Sequence, residues 1–196
     1  MNIIKFIQDE NLNGFDKEGG TDKVCDHSYC LTLYPEILSS FADQSCSVLE
    51  VGTYKGGWAY TLIKMLPKST VTCVDIQDSF SEHIVSRLSD QELDRLTFIE
   101  ADAYTDSILS ELSRSKYDVI FEDGPHTIGS QIFAVKNYAP LLSERGVLII
   151  EDIPDDVSLQ HLISAVDTAI FEYQVVDMRH IIGRFDDLVL VIRRTK

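Results

Sequence analysis

Acidic residues and glycines recur at the positions where apolar runs of this chain end. The first example is the segment VLEVGTYKGG at residues 48–57, in which Gly52, Gly56 and Gly57 follow an apolar run. Glycines there let the backbone approach a ligand closely, because they carry no Cβ. A tight turn between a strand and a helix is the alternative explanation. The spacing GxxxGG and the preceding Glu50 also differ from the GxGxxG pattern of dinucleotide sites.

Two further carboxylates end the next two apolar runs. Asp75 stands 23 residues beyond Gly52, and a carboxylate at this position can accept both hydroxyl hydrogens of a ribose. Asp102 ends the third run, where a carboxylate would lie beside an adenine ring. Each of these residues could instead cap a helix. Together with Glu50 they favour a ligand site, because open parallel sheets bind ligands at the carboxyl ends of their strands.

The fourth and fifth apolar runs end in a second acidic group. Asp123 follows the fourth run, and Glu151 and Asp152 follow the fifth. Neighbouring strands lie about 4.8 Å apart, so the three carboxylates are predicted to converge as ligands of a hard cation such as Mg²⁺. His126 is predicted to lie on the same side as Asp123, where an imidazole could take the proton of a bound hydroxyl group. Helix caps and a surface histidine are the structural alternatives.

The elements that must position these residues alternate along the chain. Near-continuous apolar runs separated by helical stretches predict parallel strands, buried on both faces and joined by crossover helices. These strands are expected at residues 47–51, 70–76, 96–100, 117–122 and 146–151. The last two runs, 172–178 and 188–193, are joined too closely for a crossover helix and predict an antiparallel hairpin. The expected fold is α/β, a Rossmann-like, doubly wound sheet of seven strands with a C-terminal antiparallel hairpin.

The first 45 residues do not follow this alternation. A polar stretch at 11–23 precedes a predicted helix at 29–41. We therefore predict an N-terminal helical lid at residues 1–45 and one domain at residues 46–196. Cys25, His27 and Cys30 fall in the lid and faintly suggest a metal site. No second ligand pair with zinc spacing follows them, so reduced thiols are the favoured interpretation.

Composition narrows the classes of partner. A formal net charge of −15 disfavours a nucleic-acid substrate, because so acidic a surface repels phosphate backbones. A small-molecule substrate is compatible with this charge. No apolar run approaches the roughly 20 residues of a membrane helix, and the start of the sequence lacks a signal-peptide pattern. We expect a cytoplasmic protein without a membrane partner, either a monomer or a homo-oligomer.

The motifs together resemble a known family. The order ExGxxxGG, Asp75 and Asp102, closed by a hairpin, is similar to class I S-adenosylmethionine (SAM)-dependent methyltransferases over residues 46–196. This resemblance implies that the loop at Gly52 faces the methionine part of SAM, Asp75 the ribose and Asp102 the adenine. The cofactor-binding residues that it implies are Glu50, Gly52, Thr53, Tyr54, Gly56, Asp75, Ile76, Asp102, Ala103 and Asp123.

A narrower resemblance comes from the segments EDGPH at 122–126 and IIED at 149–152. They are similar to the metal-dependent sugar O-methyltransferases of the macrocin and mycinamicin type and to cephalosporin-hydroxylase-like proteins. The opening GTDK…HSY at 20–29 and a late R…RFDD segment at 179–187 resemble the same group. The resemblance implies a Mg²⁺-assisted O-methyltransferase that acts on a small hydroxylated acceptor, such as a sugar or sugar-bearing metabolite. Asp123 and His126 would be its catalytic residues.

Three other functions are weighed against this hypothesis. An NAD-dependent oxidoreductase is disfavoured by the absent GxGxxG motif and by the closing hairpin. A hydroxylase would need a redox centre, and the sequence contains no HxD…H triad. A SAM- or nucleotide-binding module without catalysis stays open, because binding motifs alone do not demonstrate methyl transfer.

Overall fold

Seven strands form one sheet in the computed structural model, which describes residues 2–195. They are β1 (Cys46–Val51), β2 (Ser69–Asp75), β3 (Leu96–Glu100), β4 (Tyr117–Glu122), β5 (Leu142–Ile150), β6 (Phe171–Asp177) and β7 (Leu188–Arg194). Their order is β3-β2-β1-β4-β5-β7-β6. Strands β1 to β5 run parallel, whereas β7 is antiparallel to both β5 and β6. The predicted α/β fold with its C-terminal hairpin is confirmed.

Helices cover both faces of this sheet. They are α1 (Ile3–Asp9), α2 (Leu33–Ser39), α3 (Gly57–Met65), α4 (Glu82–Val85), α5 (Asp90–Leu93), α6 (Asp106–Leu112), α7 (Ile128–Asn137), α8 (Asp156–Ala165) and α9 (Arg179–Ile182), with short 3₁₀ turns at Tyr29–Leu31 and Ala139–Leu141. The central strands β1 and β4 are mostly apolar and are buried at every position but the second, because helices cover both faces of the sheet. Among the described residues, no helix is both long and apolar enough to cross a membrane.

Local sequence explains where the site-flanking helices begin. Gly56 adopts a φ of +83° immediately before α3, a conformation that residues with a Cβ rarely tolerate. The side chain of Thr127 accepts a hydrogen bond from Ser130 N at the start of α7, and Asp155 does the same for Ser158 N at the start of α8. These caps satisfy amide groups that have no partner inside the helix. Each of these helices therefore starts a few residues after its preceding strand ends.

The N-terminal segment, residues 2–45, packs directly against the sheet. Ile3, Ile7, Tyr34 and Leu38 are buried in the same hydrophobic cluster as Val48 of β1. The helix expected at 29–41 is present as the 3₁₀ turn Tyr29–Leu31 followed by α2. The segment thus contributes to the core of one face, while the division of the chain at residue 45 stays a prediction.

Candidate functional site

A cleft of about 750 Å³ lies at the carboxyl ends of strands β1 to β4. Asp75, Ile76, Asp102 and Ala103 line it from one side, and residues 123–125 line it from the other. The parallel strands bring together residues that the sequence separates by some fifty positions, because their carboxyl ends share one edge. Every predicted ligand-facing carboxylate of the first three strands except Glu50 therefore borders one cavity.

The conformation of the loop after β1 depends on Gly52. Its φ is +85°, and a Cβ built at this position would lie 1.9 Å from the carbonyl oxygen of Asp123. Backbone packing between the loops after β1 and β4 thus requires the glycine, which also lines the cleft. Gly57 is required in the same way, since its Cβ would lie 2.4 Å from the carbonyl oxygen of Gly19 in the N-terminal segment.

Asp75 and Asp102 each hold a nearby backbone amide. Asp75 accepts hydrogen bonds from Tyr54 N at 2.8 Å and Gln77 N at 3.2 Å, and Asp102 accepts one from Tyr104 N at 2.9 Å. Tyr54 has a φ of +50°, so the bond from Asp75 stabilises an unfavourable conformation. Both carboxylates remain at the cleft surface, where their unused lone pairs can accept further hydrogen bonds.

A smaller chamber of about 220 Å³ adjoins this cleft and shares Gly52, Tyr54 and Asp123 with it. Glu50, Thr53 and Trp58 line the chamber on one side, and residues 20–23 line it on the other. Burial raises the pKa of Glu50 to about 8. The indole Nε1 of Trp58 is buried and has no hydrogen-bond partner within residues 2–195. An unpaired buried donor is unfavourable, so this chamber is suited to a polar ligand group.

Asp123, His126 and Asp152, here called the acidic centre, meet where the cleft and chamber join. One potential ligand atom from each lies within 4.8 Å of the others. Nε2 of His126 is 3.2 Å from Oδ1 of Asp123 and 3.3 Å from Oδ2 of Asp152. The helix-cap alternative does not hold for the two aspartates, because Thr127 and Asp155 cap the following helices. Two carboxylates and an imidazole form a donor set that fits a divalent cation such as Mg²⁺ or Mn²⁺.

Unusual backbone conformations occur at this centre. His126 has a φ of +53° and Asp152 a φ of +52°, in the left-handed region that residues other than glycine seldom adopt. Such strain persists only where surrounding contacts enforce it, and it concentrates at functional sites. With these turns, Nε2 of His126 and Oδ2 of Asp152 lie 3.3 Å apart.

Opposing charges set the protonation of the acidic centre. Burial disfavours a charged imidazole, but the hydrogen bond to Asp123 and the charges of Asp123 and Asp152 outweigh it and raise the pKa of His126 to about 9. Burial by itself would raise the pKa of Asp123, yet the charge of Lys23 and the hydrogen bond from His126 hold it below its ordinary value. The centre therefore combines an ionised Asp123 with a protonated imidazole at neutral pH.

Glu151, predicted as a metal ligand, lies outside this centre. Its side chain is fully buried, with Oε2 accepting a hydrogen bond from Lys23 Nζ at 2.5 Å and Oε1 accepting one from the hydroxyl of Tyr34. Both carboxylate oxygens are thus already paired. This corrects the predicted ligand set, in which all three carboxylates converged.

Sequence reasoning assigned no role to Lys23, which the structure brings into the site. Lys23 is 1% exposed, and its Nζ lies 2.6 Å from Oδ2 of Asp123 as well as 2.5 Å from Glu151. Burial by itself would lower the pKa of Lys23, but the charges of Asp123 and Glu151 raise it well above its ordinary value. In the sequence, the GTDK…HSY segment was the one indication that Lys23 has a role, and it did not indicate which acidic residues Lys23 would contact.

The remaining N-terminal polar residues also bind acids of the sheet. His27 Nδ1 lies 2.8 Å from Oδ1 of Asp187, and the hydroxyl of Tyr29 donates to Oδ1 of Asp152. Cys30 is buried and Cys25 is exposed. Among the described residues, Cys25, His27 and Cys30 do not occur in the cluster of potential metal-ligating atoms, and the interpretation of reduced thiols stays a prediction.

Comparisons with known proteins agree with this architecture. A family model described as a methyltransferase domain matches residues 49–153. No curated protein matches the chain in sequence. The solved structure of the MycE methyltransferase from the mycinamycin biosynthetic pathway, in complex with Mg and S-adenosylhomocysteine (SAH), is similar over the whole chain, with a TM-score of 0.68 and 15% identity. The present chain spans 55% of that protein.

Two further solved structures share the fold. An rRNA methylase from Streptococcus thermophilus aligns with 85% of this chain and 96% of its own, at a TM-score of 0.62 and 17% identity. An SAH-bound methyltransferase from Podospora anserina aligns with all of this chain and 88% of its own, at a TM-score of 0.58 and 13% identity. At these identities the likeness concerns the fold.

Proposed function

The chain belongs to the methyltransferase-domain family, and we propose that it transfers a methyl group from SAM to a hydroxyl group of a small acceptor with the help of a divalent cation. The observation that carries this proposal is the position of Asp123, which lines the large cleft and also belongs to the acidic centre. A cofactor in the cleft would therefore end beside a cation-binding group. The MycE complexes, one of which also holds mycinamycin VI, contain Mg and SAH together.

The cleft and the adjoining chamber divide the recognition of SAM between them. Asp75 and Ile76 border the region proposed for the ribose, and Asp102 and Ala103 border that proposed for the adenine. The methionine part would enter the chamber past Gly52 and Tyr54. These assignments follow the order β3-β2-β1 in the sheet. The loops after these three strands lie side by side at one edge, so each can contact a different part of SAM.

The chamber offers partners of both signs for an amino-acid group. The unpaired Nε1 of Trp58 can donate to a carboxylate. Glu50 can accept from an ammonium group, whose positive charge would lower the raised pKa of this buried acid. Thr53, Tyr54 and Gly56 form the connecting loop. The whole set supports a zwitterionic ligand end, which the methionine part of SAM supplies.

Exposure separates the roles within the acidic centre. The side chain of His126 is 38% exposed, compared with 18% for Asp123 and 5% for Asp152. We assign the two carboxylates to hold the cation and the imidazole to contact the acceptor. A bound divalent cation orients a hydroxyl group and lowers its pKa.

Proton transfer is assigned to Nε2 of His126. The charges of Asp123 and Asp152 raise the pKa of His126 and so keep this nitrogen protonated. Neutralising those charges would lower the pKa of His126. Nε2 could then lose its proton and accept the proton of the acceptor hydroxyl group. The acceptor oxygen forms a bond to the methyl carbon as the bond from that carbon to sulfur breaks. The acceptor leaves as a methyl ether, and the proton remains on His126.

The charge of the chain supports a small acceptor. A net charge of −15 repels a phosphate backbone, so we do not extend the rRNA specificity of a structural relative to this chain. A neutral hydroxylated molecule, such as a sugar or sugar-bearing metabolite, meets no such repulsion and can reach the exposed face of His126.

A test of the proposal measures binding and transfer on one preparation. Mass spectrometry of the purified protein should detect co-purified SAM or SAH, and calorimetry should measure SAM binding. Methyl transfer to a panel of small hydroxylated molecules should require Mg²⁺ and stop in EDTA, while SAM binding persists. Asp123→Asn and Asp152→Asn should reproduce the effect of EDTA. Asp118→Asn is the matched control, because Asp118 lies on β4 but bonds to Ser47 N and Ser143 Oγ, away from the site.

Three outcomes would contradict parts of this proposal. Full turnover in EDTA would remove the cation. SAM binding without transfer to any acceptor would favour a binding module. Binding of NADH, followed by its fluorescence, in place of SAM would favour an oxidoreductase.

A further inference from the structure

Each carboxylate of the acidic centre turns one oxygen toward the centre and gives the other to the N-terminal segment. Asp123 directs Oδ1 to His126, while its Oδ2 accepts from Lys23 Nζ at 2.6 Å. Asp152 directs Oδ2 to His126, while its Oδ1 accepts from the hydroxyl of Tyr29. Within residues 2–195, this division leaves Oδ1 of Asp123 and Oδ2 of Asp152 with His126 as their one protein partner, on the side where a cation would bind.

Tyr29 holds Asp152 at two atoms. Its hydroxyl donates to Oδ1 and also accepts from the backbone N–H of Asp152 at 3.2 Å. Asp152 has a φ of +52°, which is unfavourable for a residue with a Cβ and needs support from its surroundings. The phenol therefore supports both the backbone and the carboxylate of Asp152, and Nδ1 of His27 lies 3.3 Å from the same Oδ1.

Tyr29 is itself fixed and shielded from any acceptor. Its side chain is fully buried, and its ring stacks on His27 with centroids 4.8 Å apart and an interplanar angle of 17°. The buried Asp187, which precedes β7, accepts from His27 Nδ1 at 2.8 Å and from Ser28 Oγ at 2.6 Å. Residues 27–29 are thus bonded to acids beside both β5 and β7, so the hydroxyl of Tyr29 has little freedom to move.

We propose that Tyr29 is the positioning residue of the cation site, holding Asp152 so that Oδ2 faces Asp123 and His126. This inference rests on the proposed function for the presence of a cation. Removing a group that hydrogen-bonds to a metal-ligating carboxylate and orients it commonly weakens metal binding by about 10–100-fold. Tyr29 touches neither the cleft nor the chamber, so a direct role in binding SAM is not part of the proposal.

The test compares Mn²⁺ binding, followed by the electron paramagnetic resonance of the free ion, in wild type and Tyr29→Phe. We expect Tyr29→Phe to bind Mn²⁺ about 10–100-fold more weakly, with SAM affinity unchanged. Tyr60→Phe is the matched control, because the buried Tyr60 also donates its hydroxyl to a carboxylate, that of Glu10 at 2.9 Å. Its Mn²⁺ affinity should equal that of wild type, even if it unfolds at a lower temperature.

The outcomes separate this inference from the proposed function. Wild-type Mn²⁺ affinity in a folded Tyr29→Phe protein would overturn the role of Tyr29 alone. Absence of Mn²⁺ binding in the wild type would overturn the cation as well. If Tyr29→Phe does not fold, Ser28→Ala decides, since it removes one bond to Asp187 and keeps every ring. It should weaken Mn²⁺ binding by roughly 2–10-fold, and an unchanged affinity would overturn the inference.

Discussion

The cofactor cleft and the acidic centre share Asp123 but are held together in different ways. In the cleft, Asp75 and Asp102 each accept a hydrogen bond from the backbone amide two positions further along the chain. Asp75 also accepts one from the amide of Tyr54, which lies 21 residues before it. In the acidic centre, the bond from Lys23 to Asp123 spans 100 residues and that from Tyr29 to Asp152 spans 123.

The difference follows from burial. Carboxylates at the cleft surface keep water as an alternative partner, so a local turn is sufficient to hold them. Asp152 of the acidic centre and the adjacent Glu151 are buried, the side chain of Asp123 is only 18% exposed, and a buried charge needs a partner that is also buried. Within residues 2–195 the N-terminal segment supplies these buried partners, Lys23 to Asp123 and Glu151 and Tyr29 to Asp152. Substitutions in the cleft should therefore change affinity, whereas those around the acidic centre should change catalysis or stability.

The largest effect is expected for His126→Ala in the acidic centre. Loss of a positioned proton acceptor should lower kcat by about 10²–10⁴, while SAM affinity stays within about twofold of wild type. Steady-state assays at saturating Mg²⁺ measure this, with His83→Ala on the exposed helix α4 as the control. A parallel Mn²⁺ titration sharpens the assignment, because an affinity lost together with kcat would make His126 a ligand of the cation. A fully active variant would exclude both roles.

Lys23→Met should be the most destabilising change. Removing one partner from a buried ion pair leaves uncompensated carboxylates, which typically lowers the free energy of unfolding by about 3–5 kcal/mol. Urea unfolding measures this directly. Lys64→Met is the control, because its pair with Glu92 at 2.7 Å is partly exposed and should contribute less than about 1 kcal/mol.

A second substitution tests whether charge is the cause. In Lys23→Met with Glu151→Gln, one of the buried charges left behind by the lysine is removed, so part of the lost stability should return. Additive losses in the double variant would mean that Lys23 acts through packing alone.

The smallest effect is expected in the cleft, for Asp75→Ala. Loss of charge-assisted hydrogen bonds should weaken SAM binding by about 1.5–3 kcal/mol, with little change in the free energy of unfolding. Calorimetric titration and urea unfolding test the two halves of this expectation. Asp167→Ala is the control, because Asp167 makes the same kind of local bond, to Ala169 N at 3.1 Å, in the loop before β6. Unchanged SAM affinity would remove Asp75 from the cofactor site, and a large loss of stability would erase the contrast with the acidic centre.

Much of the sheet could be predicted because its signals are local. Near-continuous apolar runs mark β1, β2, β3 and β4 to within a residue or so, and the short connection before β7 predicted the hairpin. The start of β5 was missed, since Leu142 and Ser143 join the strand before Gly146 through an irregular pairing beside Tyr117. The resemblance to methyltransferases is confirmed by the family match over residues 49–153.

By itself the sequence determined the fold class and the strand ends on which Asp75, Asp102, Asp123 and Asp152 stand, because alternation and turn residues act over a few positions. It also predicted that Asp123, His126 and Asp152 converge, since the carboxyl ends of β4 and β5 are neighbours. Only the tertiary structure decided that Glu151 turns away from them and pairs with Lys23. The physical reason is that a buried acid needs a positively charged partner, and the folded chain decides which one it meets. For Glu151 this partner is Lys23, 128 residues away in sequence, and a local sequence pattern cannot predict a contact between residues so far apart.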